Sequence, residues 1–142
     1  MRKIWANGCF DVLHIGHIKL LEFAKSQGDY LIVGIDSDER VKESKGPGRP
    51  INNQRDRCEF LRAISAVDEV VIFSSTEGLT NAIKENDVDL IVIGDDYEGR
   101  NVIGAEYSEV LFFKKIPGIS SSSLISKTSN GSEYIEEKNS SG

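Results

Sequence analysis

Cysteine is scarce here, and so are long apolar runs and positive charge; each shortage excludes something. Two cysteines, Cys9 and Cys58, in 142 residues cannot build a disulfide framework, and such usage fits a reducing compartment. No apolar stretch approaches the length that crosses a bilayer. The opening MRKIWANG runs straight into strand-like sequence with no leader pattern, so a cytoplasmic protein with no membrane partner is expected. A formal net charge of −6 argues against a general nucleic-acid surface, so a bound anion must be met by a local positive cluster. No internal repeat is visible. What remains, 39% apolar and 28% charged residues, is the composition of an ordinary globular domain large enough to bury its own core.

The apolar pattern alternates between two periods. Residues 2–7 read as a strand closed by Gly8. From Gly16 a helical spacing of Ile18, Leu21 and Ala24 takes over, with Gly28 as its stop. YLIVGID (30–36), EVVIF (69–73), DLIVIG (89–94) and VLFFKK (110–115) are apolar throughout, the mark of strands covered on both faces. Between them, Ser37 or Asp38 caps a short helix that the KGPGRP loop (45–50) ends, and Asn52 or Asn53 caps a longer one through RDRCEFLRAISA. Further helical sequence falls at 77–86, with a helical turn at 102–108. This order predicts an α/β fold, a three-layer α/β/α sandwich around a five-stranded parallel sheet. The domain is expected over 1–127, followed by a flexible, polar, acidic tail over 128–142.

Three places gather chemistry. The first is GCFDVLHIGH (8–17), which contains both histidines of the chain. Ligands of parallel sheets bind beyond the carboxyl ends of strands, where Gly8 lets a ligand approach the backbone. The helix starting near Gly16 offers free N–H groups to phosphate, and His14 and His17 stand at its entrance. A structural reading remains open, with one histidine capping the helix and the other packing on the sheet; two imidazoles bracketing a glycine at this turn point instead to phosphate. Zinc is disfavoured, because no HExxH spacing exists.

The second place is KESKGPGRPINNQRDR (42–57), where Lys42, Lys45, Arg49, Arg55 and Arg57 against Glu43 and Asp56 leave a net of +3. It reads either as a solvated charged face or as a shaped loop over a polyanion. The third is VIGDDYEG (92–99), whose Asp95 and Asp96 follow a strand end. Such a pair either caps a turn or holds ribose hydroxyls and helps place magnesium.

Together these residues resemble the cytidylyltransferase-like nucleotidyltransferases, whose signature is G-x-F-D followed by H-x-G-H. The similarity continues through GDYLIVGIDSDE, the KG of the loop, AVDEVV, GDDYEG and GISS, over about residues 3–127. The resemblance implies a Rossmann-like fold and transfer of a nucleoside monophosphate from ATP or CTP to a small phosphate monoester, with release of pyrophosphate. It makes His14, His17, Lys45 and Arg57 the catalytic group, with Arg57 holding the acceptor or α-phosphate. Gly8, Cys9, Phe10, Asp11, Gly16, Asp95, Asp96, Gly118, Ile119, Ser120 and Ser121 then serve the nucleotide, Asp11 by bracing the turn. It also implies Mg²⁺ held mainly by the triphosphate, with no certain protein ligand, and a homodimer.

Within the family, KGPGRPIN, NVIGAEY and IPGISSSSLI resemble the D-glycero-β-D-manno-heptose 1-phosphate adenylyltransferase domains, which supply activated heptose for lipopolysaccharide or related glycans. HIKLLEFAKSQGDYL and GDDYEG resemble the glycerol-3-phosphate cytidylyltransferases, which make CDP-glycerol; there Lys115 and Pro117 stand where that group carries an arginine and an acid. A non-catalytic nucleotide-binding module would share the fold.

Overall fold

The computed structural model describes residues 1–95, 99 and 101–114. Within them the chain runs β1 (Lys3–Gly8), α1 (Ile15–Ser26), β2 (Tyr30–Asp36), α2 (Asp38–Lys45), α3 (Gln54–Arg62), β3 (Glu69–Phe73), α4 (Thr76–Glu85), β4 (Leu90–Gly94) and β5 (Glu109–Phe113). The five strands form one sheet in the order β3-β2-β1-β4-β5, and every pairing is parallel.

Alternation along the central strands decides which helix lies where. Ile4 and Ala6 of β1 join Leu31, Val33 and Ile35 of β2 under Leu21 and Ala24 of α1 and Cys58 and Leu61 of α3. Trp5, Ile32 and Ile91 point the other way, onto Leu79 and Ile83 of α4. Helices therefore cover both faces of the sheet, which is why its strands read as continuous apolar runs. Gly34 of β2 is demanded by packing, since a Cβ there would run into the Trp5 indole.

Boundaries differ from the sequence expectation where side chains compete for the backbone. The helix expected to run through RDRCEFLRAISA stops at Arg62, after which Ile64 and Val67 turn in against the core. Residues 102–108, expected as a helical turn, make successive turns at Val102 and Gly104, with Ser108 N also bonded to Gly104 O. Asn53 alone caps α3, through Asp56 N at 2.8 Å, because Asn52 is engaged elsewhere.

The strand order matters for function. From β1 the chain moves outward through β2 and β3, then returns to place β4 on the other side of β1. The order reverses between β1 and β4, and in open parallel sheets the ligand crevice opens at that point, beyond the carboxyl ends. Gly8 ends β1 and Gly94 ends β4, so the GCFDVLHIGH turn and Asp95 lie at that edge. Asp96 and the 128–142 tail lie outside the described residues.

Candidate active site

The turn after β1 is held in an unusual shape. Phe10 adopts φ 51°, a left-handed conformation that costs a bulky residue about 1–3 kcal/mol. Burial holds it there: Phe10 is in the core, and its ring meets that of His17 edge-on, with centroids 5.2 Å apart.

Four residues on, two imidazoles start α1. His14 is the N-cap, and its Nδ1 accepts from Gly16 N at 3.1 Å. His17, the third helical residue, returns the bond, its Nδ1 accepting from His14 N at 3.2 Å. This is a capping box built from histidines, where serine or threonine with a glutamate would be usual. The rings stack with centroids 4.0 Å apart. A nitrogen that accepts from a backbone N–H carries no proton, so each neutral ring holds its hydrogen on Nε2. The arrangement sets both imidazoles at a helix N-terminus whose first turn has no acidic residue. That helix end already favours an anion. The structural reading of the histidine pair is thus present, with His14 capping the helix and His17 packed on Phe10.

Gly16 belongs to the same cap. A Cβ there would sit 2.9 Å from Cε1 and 3.1 Å from Nδ1 of His14, so the ring can fold back only over glycine. Gly16→Ala gains up to about 1 kcal/mol of helix propensity and forfeits a cap worth about the same. Its thermal midpoint is therefore expected to stay close to the parent's while turnover falls, because the His14 ring is displaced. Calorimetry beside a pyrophosphate-release assay reads both.

The basic loop is less free than its charge count implies. Arg49 Nε donates to Asp11 at 2.7 Å and Arg57 Nη2 to Asp38 at 2.7 Å. Lys42, Lys45 and Arg55 are exposed. Lys45 ends α2 close enough to the turn that its charge, with that of Arg57, pulls the Cys9 thiol down; burial outweighs both and pushes it up.

Arg57, expected to hold the acceptor or α-phosphate, is engaged within the fold. It is fully buried, and its guanidinium donates to Asn52 O at 3.0 Å, Cys9 O at 2.9 Å and Asp36 O at 2.8 Å besides Asp38. It ties the exits of β1 and β2 to the start of α3. Cys9 offers its carbonyl to this guanidinium, and its buried side chain lines the core rather than an open wall.

Asp11 is absorbed as well, and its bonds are those of the expected brace. Its carboxylate, 3% exposed, accepts from Ile51 N, Asn52 N and Arg49, while Asn52 Nδ2 donates to its carbonyl. Burial raises this carboxyl's pKa, but the backbone bonds from Asn52 and Ile51, then Arg49, outweigh it and leave it below the usual range. Asp68 behaves alike: desolvation is overcome by the bonds from Lys25 and Leu31 N. A depressed folded-state pKa adds stability that is complete above the unfolded value and is lost as pH falls through the folded one. Thermal midpoints are expected to hold down to about pH 4 and then drop. Asp11→Asn should flatten part of that drop, and a drop of the same depth in the variant would contradict the assignment.

Asp95 is half-buried just after β4. Gly118, Ile119, Ser120 and Ser121 lie outside the described residues. Sequence reasoning missed Arg40, which donates to Asp36 at 2.7 Å and lies over the Phe73 ring at 5.4 Å. Its spacing of four from Asp36 on a strand-to-helix turn was the available signal. No three His, Cys, Asp or Glu side chains among the described residues gather to hold a metal. Among them, no helix is long and apolar enough to cross a membrane.

Comparison with known proteins agrees with this geometry. The sequence profile described as Cytidylyltransferase-like matches residues 5–127. The chain belongs to that family. Cytidylyltransferase-like relatives include Bifunctional protein HldE of Campylobacter fetus subsp. fetus, 46% identical over 125 residues, which are 87% of this chain and 27% of that protein. The HldE of Sulfurimonas denitrificans is 48% identical over 78% of this chain and 23% of its own length. The chain thus spans about a quarter of the curated relatives it matches. Among solved structures, the lipopolysaccharide core biosynthesis protein from Thermoplasma volcanium shares the fold with a TM-score of 0.64 at 24% identity, over 80% of this chain and 95% of that one.

Proposed function

We propose that this chain is a nucleotidyltransferase that moves AMP from ATP to a sugar 1-phosphate of the heptose type and releases pyrophosphate. The observation that carries the reading is the reciprocal histidine cap at the sheet's switch point, in a chain 46% identical to an HldE over 87% of its length. A phosphate oxygen of the acceptor attacks the α-phosphorus in line, the bond to the bridging oxygen breaks, and its electron pair leaves with pyrophosphate. No covalent intermediate with the protein is formed, so positioning and charge stabilisation supply the catalysis. The Nε2–H groups of His14 and His17 turn to the oxygens that gain charge, assisted by the α1 N-terminus, and Lys45 adds a point charge from the end of α2. Magnesium enters on the triphosphate as part of the substrate. Asp95 and Asp96 serve the ribose side, Gly118–Ser121 the β- and γ-phosphates, and the chain works as a cytoplasmic homodimer.

The test is a pyrophosphate-release screen of ATP and CTP against phosphate monoesters, including heptose 1-phosphate and glycerol 3-phosphate. The reading expects the ATP and sugar 1-phosphate pair to be fastest. Faster release with CTP and glycerol 3-phosphate would move the chain to the CDP-glycerol branch, and nucleotide binding without release under any pair would make it a binding module.

A further inference from the structure

The turn after β1 and the loop before α3 are far apart in sequence yet share one buried carboxylate. Asp11 takes Arg49 Nε, Ile51 N and Asn52 N at 2.7, 2.9 and 2.8 Å, and its own carbonyl takes Asn52 Nδ2 at 2.7 Å. Asn52 O then accepts from Arg57, whose Nη1 returns to Cys9 O two residues before Asp11. The ring of bonds is closed. It fixes the distal end of the loop, while Arg57 on Asp38 fixes the first turn of α2, the helix that ends at Lys45. Between these anchors lie Gly46, Pro47 and Gly48. A Cβ at either glycine would meet nothing within 4 Å, so packing does not hold this span.

We propose that Asp11 is a positioning residue that acts through this loop to place Lys45 over the phosphate-binding turn. The inference rests on the nucleotidyltransferase reading for what Lys45 does there, and on the geometry alone for how the loop beside it is anchored. Asparagine fits the site in size but not in bonding. Its amide has one acceptor oxygen for three inward N–H donors, and its NH₂ sets donor against donor. The loop anchor therefore opens in Asp11→Asn, and misplacing a group by about an ångström can cost about a hundredfold in rate.

The experiment is a double-mutant cycle of Asp11→Asn and Lys45→Ala in the full chain, read on kcat/KM and, separately, on ATP binding by calorimetry. Asp11→Asn is expected to lower kcat/KM about ten- to a hundredfold beside Lys45 and by no more than about threefold once Lys45 is gone. Amide exchange at Ile51 and Asn52 should rise selectively in the variant, while β1 and β2 stay protected. Arg49→Gln, which removes the more exposed partner, should reproduce a smaller version of the effect if Asp11→Asn folds poorly. Additive losses in the cycle, or unchanged exchange at Ile51 and Asn52, would overturn the proposal. If the parent releases no pyrophosphate, the functional reading fails; the binding and exchange arms still decide the positioning role.

Discussion

His17→Ala is expected to slow pyrophosphate release by about two to three orders of magnitude, the cost of removing one preorganised donor from a developing oxyanion. Nucleotide affinity should fall less than tenfold, because the triphosphate keeps its remaining contacts and only the transition state loses the donor. The substitution also has a structural cost: His17 is buried against Phe10 and caps His14 N. A second variant separates the two effects. The carboxamide oxygen of His17→Asn can still accept from His14 N, preserving much of the cap, while nothing replaces Nε2–H at the ring's far side. It should keep most of the thermal stability and still lose turnover. Losses of rate that track losses of stability across both variants would reduce His17 to a helix cap.

The other large effect concerns Arg57, and it falls on stability. Arg57→Ala strands three carbonyls, those of Cys9, Asp36 and Asn52, together with the Asp38 carboxylate. Breaking a buried, hydrogen-bonded ion pair by removing one member costs about 3–5 kcal/mol, a large part of the total stability of a domain this size. The thermal midpoint should drop on the order of 10–20 °C. Arg57→Lys is the decisive companion, because one ammonium cannot span four acceptors around a planar fork. It should unfold well below the parent. A lysine variant that melted with the parent while losing turnover would restore Arg57 to direct contact with substrate.

These two residues also show where the sequence was legible and where it was not. The α/β order, five strands and site edge could all be read, because parallel strands covered on both faces advertise themselves as YLIVGID and LIVIG do. The histidine pair could be placed as well, at the turn between the first strand and the first helix, because both imidazoles bracket Gly16 there. One histidine as a cap could be offered, but the reciprocal bonding could not be read, because it depends on ring orientation. The bonding of Arg57 was not legible, because arginine is almost never fully buried unless paired and three of its four partners are main-chain oxygens with no sequence signature. Charge counting erred for the same reason in the basic loop. Arg49 and Arg57 add to the formal total, yet each is bound to an internal carboxylate.

The proposed role of the pair requires that backbone N–H groups hold both imidazoles by Nδ1 and that Nε2–H turns to the departing pyrophosphate when nucleotide binds. Nitrogen NMR of protein labelled at its histidines, before and after addition of a non-hydrolysable ATP analogue, reads this directly. The account predicts an unprotonated Nδ1 and a protonated Nε2 in both rings, with only the Nε2 signals moving markedly on binding. Rings protonated at Nδ1, or Nε2 signals indifferent to the triphosphate, would contradict it.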